Sequence, residues 1–540
     1  MKITAFLRPA MLLLVVGMPA HAADGTGKSY YQPRLPWPEL AQTLASGAEW
    51  TMDGVGDGHF SFGTAVQYQA STSDNNFAKY FLPNGKNDLV IKGANVAGDF
   101  DVSGTWLQIV GENTAAVPPS LARLFDVGSP DDAAQWMNNY QSTISMKPHF
   151  ERSNALLAMR YRNTIGHMPV FFTVSLPVAQ MRTDMRLRET GIEHARATRD
   201  SVPVLIAKSD LSAPPLDTDV ALRQFMQSQY SLSAIEALSN PNKRYGKISN
   251  RVLDATGIGD MGIELSAQPC SFLTLGVRGE LPTAKKGSAE YLFEPVLGSN
   301  GHGTVAAYAT LHKELYASEQ LALALRGHAQ YQAQLPGNEL RTFDLKEAGP
   351  WSRYLLLLDF PNDSHNGQSG VNFLTRSARV STLQHVSLGL GAELAHKAFS
   401  LSVGYSAHAR EREKLTLRGA LPEQLFIAGQ LAPFNGLNFV PAEVFAGEKN
   451  VAVNQHIKIG QDNAGEPIAS PLLALTASDL DIKAASMPHY FSHQLMATVG
   501  YSGRVHDQLL HVNLGGSYEM LRQGNSCNVY SLFGALTLKI

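Results

Sequence analysis

Apolar and polar residues alternate one by one along much of this chain, and the alternation recurs in segment after segment. Over residues 321–331 the odd positions read Leu321, Leu323, Leu325, Gly327, Ala329 and Tyr331. The even positions read Ala322, Ala324, Arg326, His328 and Gln330. Neighbouring side chains on a strand point to opposite faces, so this spacing predicts a strand with one apolar and one polar face. Val386, Leu388, Leu390, Ala392 and Leu394 repeat the pattern, as do Phe399, Leu401, Val403, Tyr405 and Ala407 after a turn near Lys397. Met261, Ile263 and Leu265 lead through Gln268-Pro269-Cys270 into Leu273, Leu275 and Val277. Leu510, Val512, Leu514, Gly516, Tyr518 and Met520 form another row, and similar segments cover 60–70, 155–162, 170–179, 305–313 and 491–502.

The predicted strands run to about ten residues, the length of a tilted strand crossing a bilayer. Short turns near 164–168, 267–271, 314–318, 396–398 and 503–507 alternate with long connections at 187–257, 332–380 and 412–488. Bacterial outer-membrane barrels have short periplasmic turns and long extracellular loops. The expected fold class is therefore all-β: a closed antiparallel transmembrane β-barrel of about fourteen strands, with twelve to sixteen tolerated. Residues 131–139 read as a short helix, and residues 23–56 as an irregular segment ahead of a barrel spanning 57–540.

The two ends sharpen the picture. Lys2 and Arg8 precede an apolar run at 10–18, and Ala20-His21-Ala22 puts small residues at Ala20 and Ala22, as a signal-peptidase site requires. Residues 1–22 are thus expected to be cleaved. At the other end Tyr530, Leu532, Leu536, Leu538 and Ile540 form an alternating row, with Gly534 between and Ser531, Ala535, Thr537 and Lys539 opposite. This row resembles the C-terminal signal by which barrel-assembly machinery recognises outer-membrane proteins, with Ile540 in place of the usual Phe.

Composition removes several alternatives. Charged residues are 17% and the formal net charge is −3, which points away from a nucleic-acid partner. No segment reaches 18 continuous apolar residues, so helices are not expected to span a membrane. Cys270 and Cys527 are the only cysteines. In the barrel topology they fall at opposite ends of strands, too far apart to pair.

Residues 259–287 carry Gly259-Asp260 at the start of one strand and Pro282-Thr283 at the close of the next, followed by Ala284. This hairpin resembles one in channel barrels related to the long-chain fatty-acid transporters, and in transporters associated with aromatic-compound degradation. Those families have Gly where Ala284 stands. The resemblance implies a channel barrel and does not extend to a lipid substrate.

The polar faces carry Arg160, Arg162, Asp260, Glu264, Arg278, Glu280, Arg326, His328, Glu393, His408 and Arg410. A guanidinium facing lipid at mid-membrane costs about 2–4 kcal/mol, so these groups are expected to line the lumen. Their mixed signs predict weak ion selectivity. His385 and His511 share those faces, without a spacing that marks a metal site. His493 alone lies on an apolar face, and its neighbour Ser492 must point the opposite way, so the two cannot act as a nucleophile–base pair. No enzyme activity, cofactor or metal is expected. The charged run 410–414 reads as a solvated strand end.

Three readings follow: a diffusion channel for a small-molecule solute, set in outer-membrane lipid; a plugged barrel with a structural or surface-binding role; and a soluble periplasmic β-protein. Paired Arg and Glu blocking the lumen would favour the second. Apolar rows facing each other across two sheets would favour the third.

Overall fold

The computed structural model describes residues 28–31, 60–71, 77–82, 85–92, 141–193, 244–249, 251–346, 350–354, 356–359, 368–422, 425–427, 431–434, 438–441, 460–461, 467–468, 475–505, 508–523 and 527–539. The expected signal peptide, most of 23–56, the expected helix at 131–139 and Ile540 lie outside these.

Thirteen strands make one antiparallel sheet. They are β1 (Phe60–Ser71), β2 (His149–Ile165), β3 (Met168–Asp184), β4 (Leu253–Ile258), β5 (Met261–Cys270), β6 (Leu273–Leu281) and β7 (Thr304–Ala317). Then come β8 (Leu321–Gln334), β9 (Leu383–His396), β10 (Phe399–Arg410), β11 (Tyr490–Val505), β12 (Gln508–Gln523) and β13 (Val529–Lys539). β1 pairs with both β2 and β13, from Ser61 opposite Lys539 to Ser71 opposite Val529, which closes the sheet into a barrel. Closure removes the two edges that an open sheet would expose, and β4, which pairs with β3 alone, is the strand left at the end of the ladder.

Twelve strands complete the ring, the low end of the expected range. β4 and β5 share one place in it. β4 pairs with the upper part of β3, from Val178 opposite Ile258 to Thr183 opposite Leu253. β5 pairs with the lower part, from Val170 opposite Ala267 to Ser175 opposite Gly262. The register slips by one residue between them, so the two are one strand bent at Gly259-Asp260. Strand segments left over from the barrel build small sheets beyond it. Gly337–Thr342 pairs with Thr375–Val380, and Asp88–Lys92 with Gln141–Ser145.

The apolar rows face outward. Leu514 and Leu532 are 64% and 61% exposed, while their inward neighbours Asn513 and Ser531 are 8% and 3% exposed. Rows turned outward on a closed sheet exclude the packed two-sheet alternative. Outer aromatics gather at two levels: Phe60 against Tyr161 (5.0 Å) and Phe399 against Tyr501 (5.3 Å) at one, Tyr68 against Tyr530 (6.4 Å) at the other. Eight residues separate Phe60 from Tyr68, about 26 Å along a strand. Two aromatic girdles around an apolar band are the exterior of a bilayer-spanning barrel.

The two ends of the barrel differ. At one, hairpins turn tightly: Gly166 (φ 66°) joins β2 to β3 and Lys397 (φ 55°) joins β9 to β10. Positive φ in these short links matches the twist of the strands they join. At the other end the long connections fold into a cap with two apolar cores. In one, Phe77, Phe81, Phe293, Leu297 and Trp351 pack with Phe150, Ala179 and Met181, which project inward from the tops of β2 and β3. That core enters the barrel mouth. The second gathers Phe343, Leu345, Leu357, Leu374, Leu425 and Leu480. Cys270 is exposed at the end of β5, and Cys527 is buried by the cap.

Candidate functional site: the lumen wall and its cap

Register and alternation put one face of every barrel strand on the inside. Arg160 on β2 sits opposite Ser61 of β1 and Thr173 of β3. Its Nη2 donates to Glu264 Oε1 at 3.0 Å, and its Nε to Thr173 Oγ1 at 3.0 Å. Arg278 meets Glu280 at 3.3 Å along one strand, and Glu280 also accepts the Thr304 hydroxyl at 2.7 Å. Arg326 on β8 pairs with Glu393 on β9. Arg162 and His328 lie in the same inward rows. His408 is fully buried against Ser387, Ser406 and Gln494. Arg410 stacks on the Tyr490 ring at 4.8 Å and donates to the Pro488 carbonyl at 3.3 Å. Three arginines are thus matched to three glutamates along the wall, and such short-range pairs leave little field across the lumen.

Large inward side chains lie flat because the next strand supplies glycine beneath them. A methyl at Gly276 would fall 2.4 Å from the Tyr308 ring, and one at Gly515 would fall 2.6 Å from Phe533. Glycine here serves close approach, which keeps bulky rings against the wall.

Asp260 differs from the other inward carboxylates. It accepts Ala284 N–H at 3.0 Å, Ser299 N–H at 2.6 Å and the Ser299 hydroxyl at 2.5 Å. Thr283 completes the joint: its hydroxyl donates to Gly259 O at 2.6 Å and accepts Met261 N–H at 3.0 Å. The Gly-Asp and Pro-Thr pairs singled out in the sequence therefore form one unit that satisfies the bent strand's backbone and ties it to the cap.

Arg152 extends the Arg160 row toward the mouth and could have been found by following that row. Its Nε donates to Asn154 Oδ1 at 2.9 Å and its Nη2 to Leu297 O of the cap at 2.7 Å. No spacing in the sequence points to the charged cluster inside the cap. Arg341 is at its centre, with its guanidinium 3.3 Å from the centroid of the Tyr30 ring. It donates to Glu339 (2.8 Å), Glu413 (3.1 Å) and Ala485 O (3.0 Å). His302 Nε2 lies 2.6 Å from Glu339 Oε1, and its Nδ1 lies 2.8 Å from Leu335 O. The Tyr30 hydroxyl donates to Glu339 at 3.2 Å. Side-chain exposure is 0% for His302 and Arg341, 1% for Glu339 and 3% for Glu413.

Burial works against charge on His302, but the Glu339 carboxylate more than offsets it and raises the ring's pKa. Burial would likewise raise Glu339, yet Arg341, and then His302, bring it below the usual carboxylate value. Burial pushes the Tyr30 phenol well up. Two cations and two anions make the cluster neutral, the condition under which buried charge is tolerated. A separate pair, Arg353 and Asp344 at 2.5 Å, serves the second core.

On the outer face His493 pairs with the Tyr405 hydroxyl, while Ser492 bonds Glu519 inside. The wall separates this Ser from its neighbouring His.

No family model matches the chain, and no curated protein matches it. Among solved structures, an outer-membrane channel from Pseudomonas putida F1 is similar at 10% identity and a TM-score of 0.33, covering 90% of this chain and 97% of that one. The transport unit of the autotransporter AIDA-I from Escherichia coli shows 7% identity and a TM-score of 0.30, covering 94% and 99%. The toluene transporter TodX of Pseudomonas putida shows 10% identity and a TM-score of 0.25, covering 96% of each chain. At these scores the function is left to be read from the chain's own residues.

Proposed function

We propose that this chain is an outer-membrane channel for small solutes, held here with its mouth closed. The observation that carries the reading is the contrast between wall and cap. The wall is lined by paired charges, hydroxyls and glycine recesses that hold large side chains flat. The obstruction at the mouth is built from the long connections, one of whose apolar cores packs on Phe150, Ala179 and Met181 of the barrel strands. A passage closed by a movable part is the architecture of a gated pore. The outer apolar band and girdles support placement in a bilayer, and a closed barrel is the one β-structure that spans one. The outward row Tyr530, Leu532, Leu536 and Leu538 supports recognition by barrel-assembly machinery. The loop end is then extracellular and the turn end periplasmic.

The plugged-barrel reading is supported by the pairing of the inward Arg and Glu side chains, and by how closely inward side chains are covered, with Ser387 and Gln494 each 1% exposed. Detergent-extracted protein, run on gels with and without boiling and then reconstituted in planar bilayers, separates the two. Heat-modifiable migration with stepwise conductance is the expected result. Heat-modifiable migration with a silent bilayer under all conditions would replace the channel with the plugged barrel.

A further inference from the structure

His302 has an acceptor at each ring nitrogen, the Leu335 carbonyl and the Glu339 carboxylate. The Leu335 carbonyl cannot supply a proton, and Arg341 and His302 hold Glu339 below the usual carboxylate value, so the doubly protonated imidazolium is the form that satisfies both. The ring is therefore a cation inside the cap, and it joins parts of the chain that are far apart in sequence. His302 comes from the connection between β6 and β7. Glu339 and Arg341 come from the connection after β8, Glu413 from the one after β10, and Tyr30 from the N-terminal segment. That segment is itself fastened to the cap: Lys28 N–H donates to Tyr80 O at 2.6 Å and Ser29 Oγ to Thr342 O at 2.6 Å. Every loop in this set must part from another if the mouth is to open.

We propose that His302, Glu339, Arg341, Glu413 and Tyr30 form a proton-sensitive latch that holds the cap shut and releases it when His302 loses its proton. The proposal rests on the channel reading and names the regulation of that channel. With His302 charged, Arg341 and His302 balance Glu339 and Glu413. Loss of the proton leaves one net negative charge in a site without solvent and deprives either Glu339 or the Leu335 carbonyl of its donor. Both changes favour separation of the loops.

The charged groups around the ring reinforce this. Glu339 faces it directly, and Arg341 and Glu413 lie behind Glu339. Tyr30 adds a neutral hydroxyl. Asp260, at the β4–β5 bend, is occupied by Ser299 of the ring's own connection, whose hydroxyl oxygen also lies against the His302 carbonyl. Lys286 packs beneath Gly301, and Glu280 is held by Thr304. None of these offers the ring a replacement proton acceptor or donor at Nε2.

The sign follows from the direction of the shift. His302 is more basic folded than unfolded, so its contribution is complete below the unfolded pKa and is lost as pH rises through the folded one. Glu339 is more acidic folded, so its contribution is lost only as pH falls through its depressed value. The latch is therefore closed below the folded pKa of His302 and opens as pH rises through it.

The test uses the full chain in nanodiscs and planar bilayers from about pH 6 to about pH 10. Amide exchange of the peptides spanning 297–303 and 337–342 is corrected for intrinsic rate, and channel open probability is recorded in parallel. In the wild type, protection and closure should fall together, by up to about tenfold per pH unit above the folded pKa. His302→Gln keeps a donor toward Glu339 but cannot carry the charge, so its profile should be flat across this range. Arg341→Lys retains a cation and should keep the His302-dependent transition. Conductance with wild-type protection that ignores pH would overturn the latch and leave the channel standing. Protection that follows His302 in bilayers silent at every pH would overturn the channel reading and, with it, the gating role.

Discussion

The barrel wall and the cap both bury charge, but they organise it differently. In the wall Arg278 meets Glu280 two residues away, and Arg326, which lies opposite Gly391, meets Glu393 diagonally across the β8–β9 ladder. In the cap Arg341 meets Glu413, 72 positions distant, and lies against Tyr30, which is farther still in the sequence. Wall pairs are held by the sheet register and need no further support. The cap cluster exists only while several loops are docked together, so its electrostatics and the closure of the mouth are one event.

The largest effect should come from breaking the cap cluster. Arg341→Ala leaves Glu339 and Glu413 buried without their shared cation, a loss of about 3–5 kcal/mol. The cap should lose exchange protection while heat-modifiable migration of the barrel persists. Loss of both together would mean that wall and cap are one cooperative unit. Next comes Leu514→Arg on the lipid face, expected to cost about 2–4 kcal/mol in urea titrations of folding into liposomes, if that residue sits near mid-membrane. A negligible cost would move Leu514 out of the bilayer.

Wall pairs should report on selectivity more than on stability. Glu393→Gln removes the partner of Arg326, and the reversal potential in a salt gradient should shift toward anions. Adding Arg326→Gln should return it toward the wild-type value. An unchanged potential would place this pair away from the conducting path. The smallest effect is expected at Arg182 and Asp254, whose 3.3 Å pair is about half exposed at each partner. Arg182→Ala should change stability by less than about 1 kcal/mol.

The sequence exposed the wall far better than the cap, for a physical reason. Strand alternation is local, so Arg160, Glu264, Arg278, Glu280, Arg326, Glu393, His408 and Arg410 could be assigned a face from their immediate neighbours. The same alternation also appears in strands that never join the barrel. Gly337–Thr342 is one, and it carries two members of the cap cluster. That segment lies within 332–380, which was expected to be a long connection between barrel strands. Asp260 was assigned its inward face, but its use in fastening the bend at Gly259 depends on Ser299, 39 residues later. His302, Glu339, Glu413 and Tyr30 come together through loop docking, which leaves no period in the chain to detect.

The central claim is a channel closed by its cap, and single-channel recording of the wild type beside Arg341→Ala tests it most directly. The account predicts rare openings in the wild type, frequent openings in the variant, and the same step size in both, because the wall is unchanged. Bilayers that stay silent with a folded Arg341→Ala barrel would contradict it.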